Sequence, residues 1–197
     1  QIREIGMDLA GLDMVKDLIP IRPGMHYIMG GIKTDVDGQT NVPGVYAAGE
    51  CACVSVHGGN RLGANSLLDT IVFGERSGNR AAAASQEVEY VNFDVDAVVK
   101  REQERLQSML DRPQNGDRVA SVRLGLGQSM NKNLAVYRDQ AGMEETLRDL
   151  VGLRERYATA PVDNKGRVFN TDLVFALELG FLLDCGEALT LSALDRK

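Results

Sequence analysis

Apolar positions change their spacing about halfway along the chain. Before residue 90 they fall in short runs punctuated by glycine; from about Asp94 they recur three and four apart. The first half predicts an α/β region. A helical turn is expected at Leu12–Lys16. Runs at Ile28–Thr34 and Thr40–Ala48 flank Asp37-Gly38 and predict a hairpin, with the second strand ending at Gly49. A helix is expected from Asn65 to about Ser85, packing through Leu67, Leu68, Ile71, Val72 and the alanines at 81 to 84. Gly74 and Gly78, four apart, permit close contact with a neighbouring element. In the second half, Val95, Val98, Val99, Leu106, Met109 and Leu110 keep helical spacing until Arg112-Pro113. Further helices are expected over 117–131 (Val119, Val122, Leu126) and 143–157 (Leu147, Leu150, Val151), the latter stopping before Pro161. A last helix follows Asn170, an N-cap with Asp172 in the first turn, and runs through Leu173, Leu177 and Leu191. Short connections make neighbours antiparallel, so the expected product is an antiparallel helical bundle. The Lys100–Arg105 face reads as solvated. The fold class is thus α+β or α/β followed by a bundle, divided at 1–22, 23–90 and 91–197.

Composition narrows the function classes. The net charge of −6 argues against nucleic acid as a partner. No apolar run approaches the length of a membrane span. Charged residues at 25% and hydrophobic ones at 44% are an ordinary globular mix, and 197 residues suffice for one sizeable domain or two small ones. Cys51, Cys53 and Cys185 point to a reducing compartment. Cys51 and Cys53 with His57 lack zinc spacing and a fourth ligand, and read as buried structural thiols. Ser55 and His57 have neither an orienting acid nor a nucleophile elbow. Asp35-x-Asp37-Gly38 opens like a calcium loop without its remaining ligands, and fits a turn better. Gly125-Leu126-Gly127 lacks the preceding strand and final glycine of a dinucleotide loop, and reads as helix.

The chemistry concentrates between Pro43 and Asp69. An apolar strand ends at Gly49-Glu50; a Gly-rich loop carries His57, Asn60 and Arg61; a helix opens near Asn65-Ser66. A helix N-terminus beside a glycine loop receives an anionic ligand and a polyol chain. Gly58, Gly59 and Gly63 leave the backbone room to approach a flat ligand. No acidic residue between Cys51 and Leu68 neutralises Arg61, whose planar fork suits a carboxylate. Glu50 at a strand end suits a hydroxyl of a ribose-like chain.

These residues carry a resemblance. Thr40 to Glu50 is similar to the second FAD-binding segment of many flavoenzymes. The stretch from Val56 to Asp69 resembles the H-G-A-N-R-L-G-x-N-S-L-L-D segment of the flavoprotein subunits of succinate dehydrogenase and fumarate reductase, with Gly59 for the usual Ala. The run from Pro23 to Ile32 is similar to that family's H-Y-x-M-G-G-I strand, and a weaker likeness continues through the helical remainder. The resemblance implies that His26 and Arg61 bind a dicarboxylate. It implies that Glu50 contacts FAD on the ribityl side and that Ser66 and Leu67 lie against the flavin. The implied reaction interconverts succinate and fumarate by hydride transfer to the flavin, with electrons passed to an iron-sulfur subunit and quinone. Iron-sulfur and membrane-anchor subunits would be the partners, at the cytoplasmic side of a membrane, peripherally bound. No catalytic residue is assigned here: the family's proton-transferring Arg, its Thr-Glu pair, FAD phosphate loop and flavin-linking His have no match in this sequence. The chain therefore reads as a piece of a longer subunit that binds FAD weakly or not at all by itself. No metal is expected. L-aspartate oxidase shares the fold and the loop, but Cys51–Val56 and Leu67-Leu68-Asp69 resemble the dehydrogenase more. A non-catalytic helical docking module is the other alternative.

Overall fold

The computed structural model of the chain describes residues 1–21, 24 and 26–196; Pro23 and Met25, part of the motif around His26, lie outside the described residues. Helix α1 (Ile2–Ala10) opens the chain and is stopped by Gly11, left-handed at φ 65°, whose N–H closes onto the Met7 carbonyl at 3.1 Å. Residues 11–17 turn back on it. Asp13 accepts both prongs of Arg3, at 2.8 and 2.6 Å. The turn expected at Leu12–Lys16 is present, with the Lys16 N–H on the Asp13 carbonyl. The helix before it went unseen, because a nine-residue run with a glycine in the middle carries little propensity.

The expected hairpin does not form. Ile32–Lys33 (β1) pairs in parallel with Ala52–Cys53 (β2), Ile32 opposite Ala52 and Lys33 opposite Cys53. Between the runs 28–34 and 40–48 no ladder exists; Gln39 opposite Tyr46 is an isolated antiparallel bridge. The cause is side-chain competition for the backbone. The Asp35 carboxylate accepts the amides of Asp37 and Gln39, each at 2.9 Å, and bends the chain into a tight turn. Gly38 is left-handed there at φ 74°. Arg76 then clasps the turn by donating to the Val36 carbonyl and the Asp37 carboxylate, each at 2.7 Å. Asp37-Gly38 is therefore a turn, as expected, but one docked on a helix. After Tyr46 the chain makes a 3₁₀ turn at Gly49–Cys51.

Helix α2 (Asn65–Ser85) has the expected extent and packs on that 3₁₀ turn. Its expected packing face is not buried. Leu67, Leu68, Ile71 and Val72 are all exposed, and a Cβ at Gly74 or Gly78 would meet nothing within 4 Å. What α2 buries is polar: Asp69 and Ser77, the latter against Gly38. No element of the described residues covers the apolar stripe.

Four further helices follow: α3 (Val95–Leu110), α4 (Val119–Asn133), α5 (Gln140–Thr159) and α6 (Thr171–Asp195). Asp94, Asp139 and Asn170 cap α3, α5 and α6, each accepting an amide of the first turn. One core joins α4, α5 and α6 through Val122, Leu126, Leu150, Leu153, Leu179 and Leu183. A second joins α3 to α6 through Met109, Leu110 and Ala176, with Val162 from the connecting loop. Of the expected core residues, Val95, Val99, Val151 and Leu191 are exposed. Val99, Val151 and Leu191 each lie one position off a more buried residue, Val98, Leu150 and Thr190, and Val95 opens the exposed first turn of α3. A polar seam ties α4 to α5: Ser129 donates to Asp149 at 2.7 Å and Asn133 donates to Thr146 at 3.1 Å. The Lys100–Arg105 face carries exposed ion pairs, including Arg105 with Glu102 at 2.8 Å. The chain is thus mostly helical with one small parallel sheet.

Candidate functional site

Three segments meet beside the N-terminus of α2: the irregular residues 26–31, the 3₁₀ turn with β2, and the glycine loop 57–64. Glu50 ties the first to the second, its Oε1 accepting the Ile28 N–H at 3.1 Å. Gly31 makes this approach possible, because a Cβ there would collide with the Cys51 carbonyl. The loop is tied to α2 at its base. His57 Nε2 lies 3.1 Å from Asp69 Oδ2, with the two side chains 13% and 6% exposed. A carboxylate only accepts, so the ring nitrogen donates. The same oxygen receives the Tyr27 hydroxyl at 3.5 Å, the outer limit of a hydrogen bond. Tyr27 and His57 stand edge to face, with centroids 6.0 Å apart at 88°.

Arg61 reaches out from this loop and sits over the Tyr27 ring, its Cζ 4.9 Å from the centroid. Among the described residues no carboxylate lies within ion-pair distance of it. A half-buried guanidinium held by an aromatic face keeps its fork of donors for a ligand. His26, adjacent to Tyr27 in the chain, is exposed. The tie of Tyr27 to Arg61 and Asp69 therefore brings His26's segment and the glycine loop to one place. Ser66 and Leu67 lie in the first turn of α2, with Leu67 exposed; Ser66 accepts the Thr70 hydroxyl on its carbonyl at 2.9 Å. The N-cap position of α2 is Ala64, left-handed at φ 63°, and no side chain caps the helix. The Asn65 and Leu67 amides bond the carbonyls of Leu62 and Ala64, each at 3.1 Å, which leaves the Ser66 N–H and the positive end of the dipole to face an anionic group.

The arrangement suits a flavin. A Cβ at Gly58, Gly59 or Gly63 would meet nothing within 4 Å, so the loop borders open space, and Leu67 and Leu68 offer apolar surface at the start of α2. A flat ring with one polar, anion-forming edge matches that donor set. Two thiols do not read as expected: Cys51 is exposed rather than buried and Cys53 is half-buried; both are free, as is the exposed Cys185. Among the described residues no three His, Cys, Asp or Glu side chains converge to hold a metal. Sequence reasoning passed over Tyr27 and Asp69. The acid lies one residue beyond the window in which Arg61 lacked a counter-charge. A carboxylate at 69 amid Leu67, Leu68, Ile71 and Val72 was the signal available.

Comparison with known proteins places the chain among flavoproteins. Residues 2–67 match the FAD binding domain family, and residues 123–197 match the fumarate reductase flavoprotein C-terminal family. The fumarate reductase flavoprotein subunit of Mycobacterium tuberculosis is 40% identical over 203 residues, covering 100% of this chain and 34% of that protein. The succinate dehydrogenase flavoprotein subunit of Coxiella burnetii is 36% identical over 209 residues, covering 99% of this chain and 35% of that protein. The structure of FrdA of Escherichia coli quinol fumarate reductase superposes with a TM-score of 0.90 at 36% identity, covering 100% of this chain and 34% of that one. The chain belongs to the fumarate reductase and succinate dehydrogenase flavoprotein family. It spans about a third of the length of these relatives.

Proposed function

We propose that this chain supplies the dicarboxylate-binding arm and part of the flavin cradle of a FAD-dependent oxidoreductase that interconverts succinate and fumarate. The observation that carries this reading is Arg61: a guanidinium presented on a glycine loop, backed by an aromatic ring, with no counter-carboxylate among the described residues. Arg61 grips one carboxylate of the substrate by two parallel hydrogen bonds. His26 donates to the substrate from the neighbouring segment. Glu50, Ser66 and Leu67 hold FAD, which when bound supplies the two-electron redox chemistry. The positive end of the α2 dipole would stabilise negative charge on a flavin bound there. The proton-moving group is not assigned to this chain. The division 1–22, 23–90 and 91–197, with α3–α6 as an antiparallel bundle, belongs to the same reading. So do an iron-sulfur subunit as electron acceptor and a peripheral place on a membrane complex; no described helix is long and apolar enough to cross a membrane.

Steady-state kinetics on the full-length flavoprotein test it. Arg61→Lys keeps the charge but loses the fork, and a misplacement of about 1 Å costs on the order of a hundredfold in kcat/KM. His26→Ala loses one donor and costs less. Wild-type kcat and KM in Arg61→Lys would remove Arg61 as the carboxylate clamp.

A further inference from the structure

The loop carrying Arg61 is poorly suited to holding a side chain still. Residues 58–64 include Gly58, Gly59 and Gly63, and side chains added there would meet nothing within 4 Å. A fixed guanidinium on such a loop must overcome a large loss of backbone freedom. The structure provides two restraints from outside the loop. At its base His57 is bonded to Asp69 at 3.1 Å, closing the chain between residues 57 and 69. Above the loop, the Tyr27 ring lies under the Arg61 guanidinium at 4.9 Å. Both restraints end on one atom, Asp69 Oδ2, which also receives the Tyr27 hydroxyl at 3.5 Å. Asp69 is itself fixed, being on the second turn of α2 with its side chain 6% exposed. A buried carboxylate needs donors, and here the donors are the two residues that brace the loop.

We propose that Tyr27, His57 and Asp69 form a positioning cluster for Arg61, which rests on the reading of Arg61 as the carboxylate ligand. Tyr27 sets the height and tilt of the guanidinium, and Asp69 fixes the Tyr27 ring and the loop base relative to α2. None of the three is assigned contact with substrate. The cluster lowers the entropy lost when a dicarboxylate is gripped, so it acts on affinity through Arg61 alone.

A double-mutant cycle tests this in the full-length, FAD-loaded flavoprotein, with malonate as the probe and calorimetry as the readout. Tyr27→Leu removes the ring and should raise the malonate Kd about tenfold, the range of a desolvated cation–π contact. Tyr27→Phe keeps the ring and loses the hydroxyl, so its rise should be about threefold or less, in keeping with one weak hydrogen bond. Asp69→Asn should fall between the two. In an Arg61→Ala background all three substitutions should have no further effect, because the residue they position is gone. Equal weakening in both backgrounds would mean that the cluster serves only the fold, and would overturn the proposal. So would unchanged affinity in Tyr27→Leu and Asp69→Asn while Arg61→Ala weakens binding. If Arg61→Ala itself binds malonate like the wild type, the clamp reading falls and this inference with it. Should Tyr27→Leu fail to fold, the near-isosteric Tyr27→Phe and Asp69→Asn complete the cycle.

Discussion

Tyr27 is where the chemistry of single residues is most exposed to test. Burial pushes its hydroxyl above the ordinary value of 10.0, the carboxylates of Asp69 and Glu50 push the same way, and Arg61 opposes them. A raised folded value means that the neutral phenol is the native form. Its contribution to stability is present below pH 10 and is lost as pH rises through the folded value. Unfolding midpoints measured from pH 9 upward should therefore fall less steeply in Tyr27→Phe than in the wild type. Asp69→Asn should move the Tyr27 ionisation, followed in the phenolate absorbance band, to lower pH without restoring the ordinary value, since burial is the larger cause. At this scale the sequence draws attention to Arg61 through its company of glycines and to Glu50 through an expected strand end, which the structure replaces with a 3₁₀ turn. It did not disclose Tyr27 or Asp69, because their importance is a distance across 42 residues, and no local spacing encodes it.

Elements were legible in proportion to how much of their stability is local. Helix α2 and the start of α6 agree with expectation because caps, periodicity and length speak for themselves. Asn170 is the clearest case: its side chain accepts the Leu173 amide at 2.9 Å, while its own amide donates to the Asn164 and Gly166 carbonyls. Asn170→Ala should cost about 1–2 kcal/mol in denaturant unfolding, the upper part of the range for an N-cap, because it also orphans those carbonyls. The hairpin was misjudged because Asp35 outcompetes the ladder for two amides, and because Arg76, some 40 residues away, decides where the turn rests. Two glycines of α6 separate in the same way. A Cβ at Gly186 would touch Leu126 and Leu150 at 3.6 Å, ordinary contact, whereas at Gly180 it would sit 2.7 Å from the Tyr157 hydroxyl. Gly186→Ala should raise the unfolding midpoint, by up to about 1 kcal/mol of helix propensity, and Gly180→Ala should lower it as Tyr157 is displaced.

Across the whole molecule, the cores that bind α3 to α6 are built from residues of that half alone, while the site region keeps apolar α2 residues uncovered. The helical half was foreseeable from periodicity because its neighbours lie in the same stretch of chain. The site half was foreseeable in its motifs but not in its packing, since about two thirds of the length of its relatives lies outside this sequence. Glu50 gives that half an unexpected property. Its carboxylate has two oxygens, and one is already committed to the Ile28 amide, two residues from His26. On the function proposed above, the residue that holds the cofactor is thus also a strut of the substrate arm, and the two ligands share a joint. Reciprocity then applies: the factor by which a dicarboxylate changes flavin affinity is the factor by which the flavin changes dicarboxylate affinity. Malonate added to the full-length protein should shift the visible flavin spectrum, and Glu50→Ala should shrink that shift while weakening malonate binding. A lesion at this carboxylate would report itself in two currents at once, as a gearwheel lost from between two shafts stops both.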